Sequence, residues 1–258
     1  MSGLGKNTVR DLGRTKGAIR VNSGFTASRT EPDDSDEDFP TPPWATRAML
    51  DRLEAMGAAP GTASVWEPAA NRGHMVRPLC ERFGVVMASD LVDYGAGFGQ
   101  RNFLTPRDGD DGFDWVITNP PYNLSLSFAQ RALDVAHEGV ALFQRMAFAE
   151  GAERYTMIFD RMPPTDVMVF AERVVIHAGV MRCPDRPYLH PEGVYKKPTT
   201  AAAYAWFIWR KRHMGRGTRL HWVPPGTRLR CERPHDYPED PRGLALIPER
   251  ARRRLIHA

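Results

Sequence analysis

Trp115-Val116-Ile117 runs into Asn119-Pro120-Pro121-Tyr122, and the two prolines limit what this part of the chain can be. The apolar triplet reads as an interior strand. Proline fixes φ and donates no ladder hydrogen bond, so the strand stops there. Thr118 and Asn119 then stand at a strand tip. In an open parallel sheet the carboxyl ends of the strands are where ligands bind.

The neighbouring segments repeat the pattern. "ASVWEP" is a short apolar strand followed by a turn and a helix running to about Phe83. "VVMASD" is a second strand ending in Asp90. "LSFAQRALDVAHEG" reads as a helix, "VALFQRMAF" as a strand, "GAERYTMIFDRM" as a helix and "DVMVFAERVVI" as one or two strands. "AAAYAWFIW" and "TRLHWVP" add late strands. Upstream, a helix opens near Thr46 and turns Ala48, Met49, Leu50, Leu53 and Met56 to one side. Strands alternating with helices predict an α/β sheet with helices on both faces. The stretch 177–200, long and polar, reads as a functional loop.

Composition and charge narrow the class. No run of about 18 apolar residues is present to span a bilayer, and "MSGLGKNTVRDLGRTKGAIRVNSG" has no apolar signal core. Cys80, Cys183 and Cys231 are scattered without metal or disulfide spacing, which points to a reduced, cytoplasmic setting. No histidine spacing suits a metal. The net charge is +4, with acid concentrated in "EPDDSDED" at 31–38 and arginine in "RKRHMGRGTRL", "RLRCERP" and "RARRRL". Clustered arginine suits phosphate backbones and equally suits a solvated tail. Residues 1–38 carry little apolar periodicity and read as a disordered tail. Residues 39–222 read as the domain, and 223–258 as a basic extension.

Two constellations carry chemistry. Glu67-Pro68-Ala69-Ala70-Asn71-Arg72-Gly73 joins a strand to a helix, a turn through which backbone amides approach a ligand. Asp90 ends the next strand, where an acid meets the hydroxyls of a bound ribose. Asn71 stands where a dinucleotide-binding turn carries glycine. Asparagine is the next best residue at positive φ. A plain strand–helix turn with solvated carboxylates is the plainer alternative.

The second constellation is Asn119-Pro120-Pro121-Tyr122. An amine on an aromatic ring attacks poorly, because its lone pair is delocalised. If the Asn119 side-chain oxygen and the Pro120 carbonyl accept its two N–H bonds, the nitrogen moves towards tetrahedral geometry. Its lone pair can then point at an electrophile, and prolines hold the carbonyl rigid. Tyr122 can stack on a planar base.

With these residues, the chain resembles the class I S-adenosylmethionine-dependent methyltransferases, and in particular the adenine-N6 DNA methyltransferases of small phages and prophages. Their catalytic motif matches Asn119, Pro120, Pro121 and Tyr122. "FPTPPWATRAML" is similar to their cofactor motif and "KPTTAAAYAWFIW" to a late strand, so the likeness covers roughly 39–210. Cofactor motif first and catalytic motif later is the gamma order. The resemblance implies a Rossmann-like sheet with S-adenosylmethionine held by Phe39, Pro40, Thr41, Glu67, Pro68, Ala69, Gly73, Asp90, Asn102 and Phe103. It implies DNA as partner, with the base flipped from the duplex. Asn at the motif's head favours adenine over cytosine. Asn71 and Asn102 depart from the family pattern, which keeps a catalytically inactive DNA-binding protein in view. RNA bases and protein glutamine are the other acceptors that the same hydrogen-bonding serves.

Overall fold

The computed structural model describes residues 37–237. The tail expected at 1–38 lies outside the described residues except for Glu37 and Asp38, as does the extension beyond 237.

Helix α1, Pro43–Ala55, opens the fold. It starts three residues before the expected Thr46 because proline is pre-organised for the first turn of a helix. Strand β1 is Ser64–Glu67 and helix α2 is Val76–Cys80, which stops short of Phe83. Strands β2 (Val85–Asp90), β3 (Gly99–Gln100) and β4 (Trp115–Thr118) follow, then helix α3, Ser125–Val135. Strand β5 is Gly139–Arg145. The helix expected over 151–162 is a single turn, α4 (Ala152–Arg154), continued by a π-turn over Tyr155–Phe159. Strand β6 is Asp166–Phe170. Within the long polar loop, β7 (Tyr188–Leu189) and β8 (Tyr195–Lys196) form a small antiparallel hairpin that no periodicity announced. Strand β9 is Tyr204–Arg210, β10 is Arg219–Val223, and helix α5 is Thr227–Cys231.

Eight strands make one sheet in the order β10-β6-β9-β5-β4-β1-β2-β3. All neighbours are parallel except β9, which runs antiparallel to both β5 and β6. The chain builds outward from β1 through β2 and β3, then returns to the other side of β1 at β4. Strand order therefore reverses between β1 and β4, and an open α/β sheet has its crevice at such a reversal. The fold is an α/β, Rossmann-like sheet.

Side-chain alternation sends one row of each central strand to each face. On one face, Val65, Trp115, Ile117, Phe143, Trp206 and Ile208 pack under α1 and α2. On the other, Trp66, Val116, Val140, Leu142, Phe207 and Trp209 pack under α3. With both faces covered, β4 and β9 are buried throughout, so they read as continuous apolar runs. Trp206, Phe207 and Trp209 are sheet core, at most 1% exposed.

Residues 224–237 fold back onto α1. Arg47, 3% exposed, sends Nη1 to the Cys231 carbonyl at 2.9 Å and to Asp236 Oδ2 at 2.6 Å, while Nη2 reaches Glu81 at 2.8 Å. A buried guanidinium with two carboxylates ties α1, α2 and this segment together. No helix among the described residues is long and apolar enough to cross a membrane.

Candidate active site at the β1–β4 crevice

The turn after β1 is built as its sequence suggests. Asn71 has φ of 50° and Gly73 φ of 80°, so the position where asparagine replaces glycine is left-handed. Two interactions hold Asn71 there. Its backbone N–H donates to Asp90 Oδ2 at 2.8 Å and its Nδ2 to Asp38 Oδ1 at 2.8 Å. Asp38 also pairs with Arg72 at 2.8 Å. A Cβ on Gly73 would lie 2.8 Å from the Phe98 ring, which covers the turn.

Glu67, at the end of β1, is fully buried. Its Oε1 accepts the Ala69 N–H at 3.0 Å, while Oε2 finds no hydrogen bond of normal geometry. Burial pushes its pKa up to about 8, against the pull of the Thr118 hydroxyl and the Ala69 amide. Asp90 accepts from Asn71 N and, at 3.0 Å, from Val92 N. Burial raises its pKa too, and those amides oppose the rise. Each carboxylate oxygen has two lone pairs, so Asp90 keeps room for a further donor.

Asn119 sits at the tip of β4, next to β1 in the sheet. Its Nδ2 donates to the Phe39 carbonyl and to Thr41 Oγ1, both at 2.9 Å. The Phe39 carbonyl can only accept, so the amide's orientation is set: NH2 towards Phe39, oxygen away. That oxygen, Oδ1, is buried and has no partner. A buried carbonyl oxygen without a donor is costly, and here both donors of the same amide are satisfied. The group is held rigid with one acceptor presented.

Tyr122 lies beyond the prolines. Its hydroxyl donates to the Tyr204 hydroxyl at 3.2 Å, and its ring meets Phe39 at 5.3 Å. The Arg145 guanidinium, from the end of β5, lies 4.0 Å from the ring centroid. Burial holds the Tyr122 pKa well above the usual phenol range. The backbone N–H groups of Tyr122 and Asn123 donate to the Glu37 carboxylate.

The structure thus brings Thr41, Glu67, Pro68, Ala69, Gly73, Asp90, Asn119, Pro120, Pro121 and Tyr122 to the carboxyl edge of β1, β2 and β4. It places Phe39 against Tyr122 and Arg145, on the β5 side of Asn119. Pro40 is buried beside them. Phe103 is turned into the core, whereas Asn102 stands just beyond Gln100, the β3 residue paired with Asp90, at the carboxyl edge. Phe103 is 1% exposed, edge-on to Trp66 at 4.9 Å and in the core with Phe128. Asn102 is exposed, and its Oδ1 accepts Leu104 N–H at 2.9 Å within its own turn. Sequence reasoning missed Glu37, Arg145 and Tyr204. Arg145 had a readable signal: it is the charge that ends the apolar run "GVALFQR". Among the described residues no cluster of His, Cys, Asp or Glu suits a metal ion.

The arginine-rich stretch after β9 lies elsewhere. β9 ends with Arg210 opposite Gly139, the first residue of β5, and β10 begins with Arg219 opposite Asp166. Residues 211–218 therefore occupy the amino edge of the sheet, where Arg210 is already four residues, about 13 Å, along the strands from the level of Asn119. The loop 171–203 links the carboxyl end of β6 to Tyr204, which pairs with Arg145, so it lies on the Asn119 edge.

No protein-family model and no curated protein matches the sequence. Among solved structures, the chain is similar to a modification subunit of a putative type I restriction enzyme from Vibrio vulnificus YJ016. The TM-score is 0.46 and the identity 13%, over 75% of this chain and 49% of that one. It is similar to a type I restriction-modification methyltransferase subunit from Streptococcus thermophilus, with TM-score 0.49 and 10% identity, over 73% and 48%. It is also similar to a putative RNA methyltransferase from Pyrococcus horikoshii, with TM-score 0.49 and 14% identity, over 70% and 91%. The chain spans about half the length of each restriction-modification subunit. At TM-scores below 0.5 these likenesses carry no weight, and the fold rests on the strand order.

Proposed function

We propose that this protein transfers a methyl group from S-adenosylmethionine to the exocyclic amine of adenine in DNA, with residues 39–222 as the transferring unit. The observation that carries this reading is the Asn119 carboxamide: both donors tied down, its oxygen buried and unpartnered at a strand tip. Such an oxygen is a ready acceptor for one N–H of an aromatic amine. The carbonyl of Pro120, held by two successive proline rings, takes the other. Together they draw the nitrogen towards tetrahedral geometry and free its lone pair without removing a proton beforehand. Preorganised acceptors of this kind need no reorganisation at the moment of reaction.

The β1–β2 side fits the cofactor. S-adenosylmethionine, when bound, supplies a methyl group on a positively charged sulfur. The buried Glu67, with Oε2 unpartnered, suits the ammonium of its amino-acid part. The spare lone pairs of Asp90 suit the ribose hydroxyls. The left-handed turn at Asn71 and Gly73 keeps backbone close to both.

The deciding experiment follows labelled methyl from S-adenosylmethionine into unmethylated DNA, with Asn119→Ala beside the wild type. Label that enters DNA, appears as N6-methyladenine after digestion and is absent with Asn119→Ala bears the reading out. Label entering only RNA or a protein extract overturns the choice of substrate. Absence of cofactor binding in the wild type overturns the activity itself.

A further inference from the structure

Arg145 is a partly buried cation that meets no anion among the described residues. Among the described residues it joins no ion pair, and its buried Nε makes no hydrogen bond. The carboxylate beside Tyr122 belongs to Glu37, and it accepts from the Tyr122 and Asn123 amides. Its neighbours are neutral instead: the rings of Tyr122 at 4.0 Å and Phe39 at 5.8 Å, and the Tyr122 and Tyr204 hydroxyls, which accept from the guanidinium. Rings attract a guanidinium only weakly. Withdrawing a charge from water costs several kcal/mol unless an opposite charge meets it. Arg47 is provided for by Glu81 and Asp236, and Arg210 by Asp166. Arg182, 3.8 Å from the Tyr188 ring, shares with Arg145 the lack of an ion pair among the described residues. It stands in the 171–203 loop, however, rather than at a strand tip beside Asn119.

Position says which anion is missing. The order β9-β5-β4-β1-β2 puts Arg145, at the end of β5, on the opposite side of Asn119 from the β1–β2 turn. Neighbouring strands are about 4.8 Å apart, so the tip of β5 is roughly 10 Å from that of β1. The guanidinium lies 4.0 Å from the Tyr122 ring, so an anion attached to whatever sits at Asn119 is nearer to it than one on the β1–β2 side. The guanidinium is planar with five donors in a fixed fork, the geometry that fits phosphate.

We propose that Arg145 binds the backbone phosphate flanking the target base. This rests on the nucleic-acid reading above and adds a residue to it. Arg145 is held in place by its ring contacts and takes the phosphate as the base reaches Asn119.

Two binding measurements and one rate measurement test this. Affinity for a short fluorescein-labelled unmethylated duplex is followed by anisotropy across a salt series, for wild type, Arg145→Gln and Arg145→Lys. Each phosphate contact contributes about 0.9 to the slope of log affinity against log salt. Arg145→Gln is expected to lower that slope by about 0.9 and to leave S-adenosylmethionine affinity, read by calorimetry, within twofold of wild type. Arg145→Lys keeps the charge and restores the slope. It loses the fork, so KM for DNA in the methyl-transfer assay stays raised several-fold while kcat changes little. Should Arg145→Gln fail to fold, the Lys variant carries the test through that KM shift. An unchanged slope in folded Arg145→Gln, or an unchanged KM in Arg145→Lys, overturns the proposal and leaves Arg145 as a brace for Tyr122. Loss of cofactor affinity with the slope intact also overturns it, in favour of a carboxylate site. Either result with wild-type methyl transfer intact sinks Arg145 alone. A wild type that binds no nucleic acid sinks the substrate reading with it.

Discussion

Asn119 Nδ2 lies 2.9 Å from the carbonyl oxygen of Phe39, a residue 80 positions earlier in the chain. That contact decides which end of the amide faces the crevice. Without it the two ends of the side chain would be interchangeable. With it, Oδ1 is the end presented.

The first prediction concerns that oxygen. Asn119→Ala removes it, and Asn119→Asp puts a second acceptor against the Phe39 carbonyl. Loss of one preorganised hydrogen-bonding group at a reacting centre costs about 10²–10³-fold in kcat. Both variants are expected to fall by at least that much in methyl transfer and to keep cofactor affinity within a few-fold. Steady-state rates together with calorimetric titration check this.

Thr41→Val tests the clamp without touching the acceptor. The Thr41 hydroxyl accepts the second Asn119 N–H at 2.9 Å, and both groups lie in a site with little water access. Loss of one neutral hydrogen bond is worth about 1 kcal/mol, so kcat is expected to drop roughly fivefold to tenfold. The accompanying change in cofactor affinity is expected to be below twofold. A larger effect on affinity than on kcat would move Thr41 to the cofactor side.

Much of this was legible in the sequence, for reasons that differ by residue. Strands β4, β5 and β9 announce themselves because both faces of the sheet are covered there, which makes them nearly unbroken apolar runs. The shorter β1 and the half-exposed β2 are read from the apolar pairs Val65-Trp66 and Val85-Val86. Proline and glycine marked the strand ends, and Asn71 adopts the positive φ that its type suits. Illegible were contacts across long sequence distance. Nothing local says that Thr41 accepts from Asn119, that Glu37 accepts from Tyr122 N–H, or that Arg145 lies over Tyr122. Motif resemblance assigned Phe103 and Asn102 to the cofactor; Phe103 is packed against Trp66 in the core, while Asn102 is exposed at the carboxyl edge near Asp90, its Oδ1 accepting within its own turn. Charge counting pointed to the arginines after β9. Only strand direction reveals that residues 211–218 lie at the opposite edge from Asn119.

Gly73→Ala tests the turn. A Cβ there meets the Phe98 ring at 2.8 Å, and the φ of 80° is unfavourable for any side chain. The ring is the end of a mobile side chain and can shift, whereas the backbone angle cannot be relieved in that way. Destabilisation of about 1–2 kcal/mol is expected from the backbone angle. In thermal melts, Phe98→Ala combined with Gly73→Ala is expected to recover only the steric part. Full recovery would mean that φ is not the constraint.

Glu67 supplies the last prediction, because its raised pKa makes opposite demands on stability and binding. The ordinary value is 4.5 and burial lifts it to about 8. Between these values the folded protein holds a proton that the unfolded chain has released. The contribution to stability is therefore full below about pH 4.5 and is lost as pH rises to about 8, by up to about 1.4 kcal/mol per pH unit. Glu67→Gln carries no titrating proton, so its melting temperature is expected to fall less than that of wild type between pH 5 and 8. Binding runs the other way. An ammonium on Oε2 favours the ionised form, so wild-type affinity for S-adenosylmethionine is expected to rise with pH up to about 8 and then level off. Calorimetry at pH 7 in two buffers of different ionisation enthalpy is expected to show close to one proton released on binding. Glu67→Gln is expected to bind about 10- to 100-fold more weakly at pH 8, the worth of a charge-assisted hydrogen bond, with no proton released. A variant that lost the melting difference but kept wild-type affinity would assign Glu67 to the core and leave the ammonium to another residue.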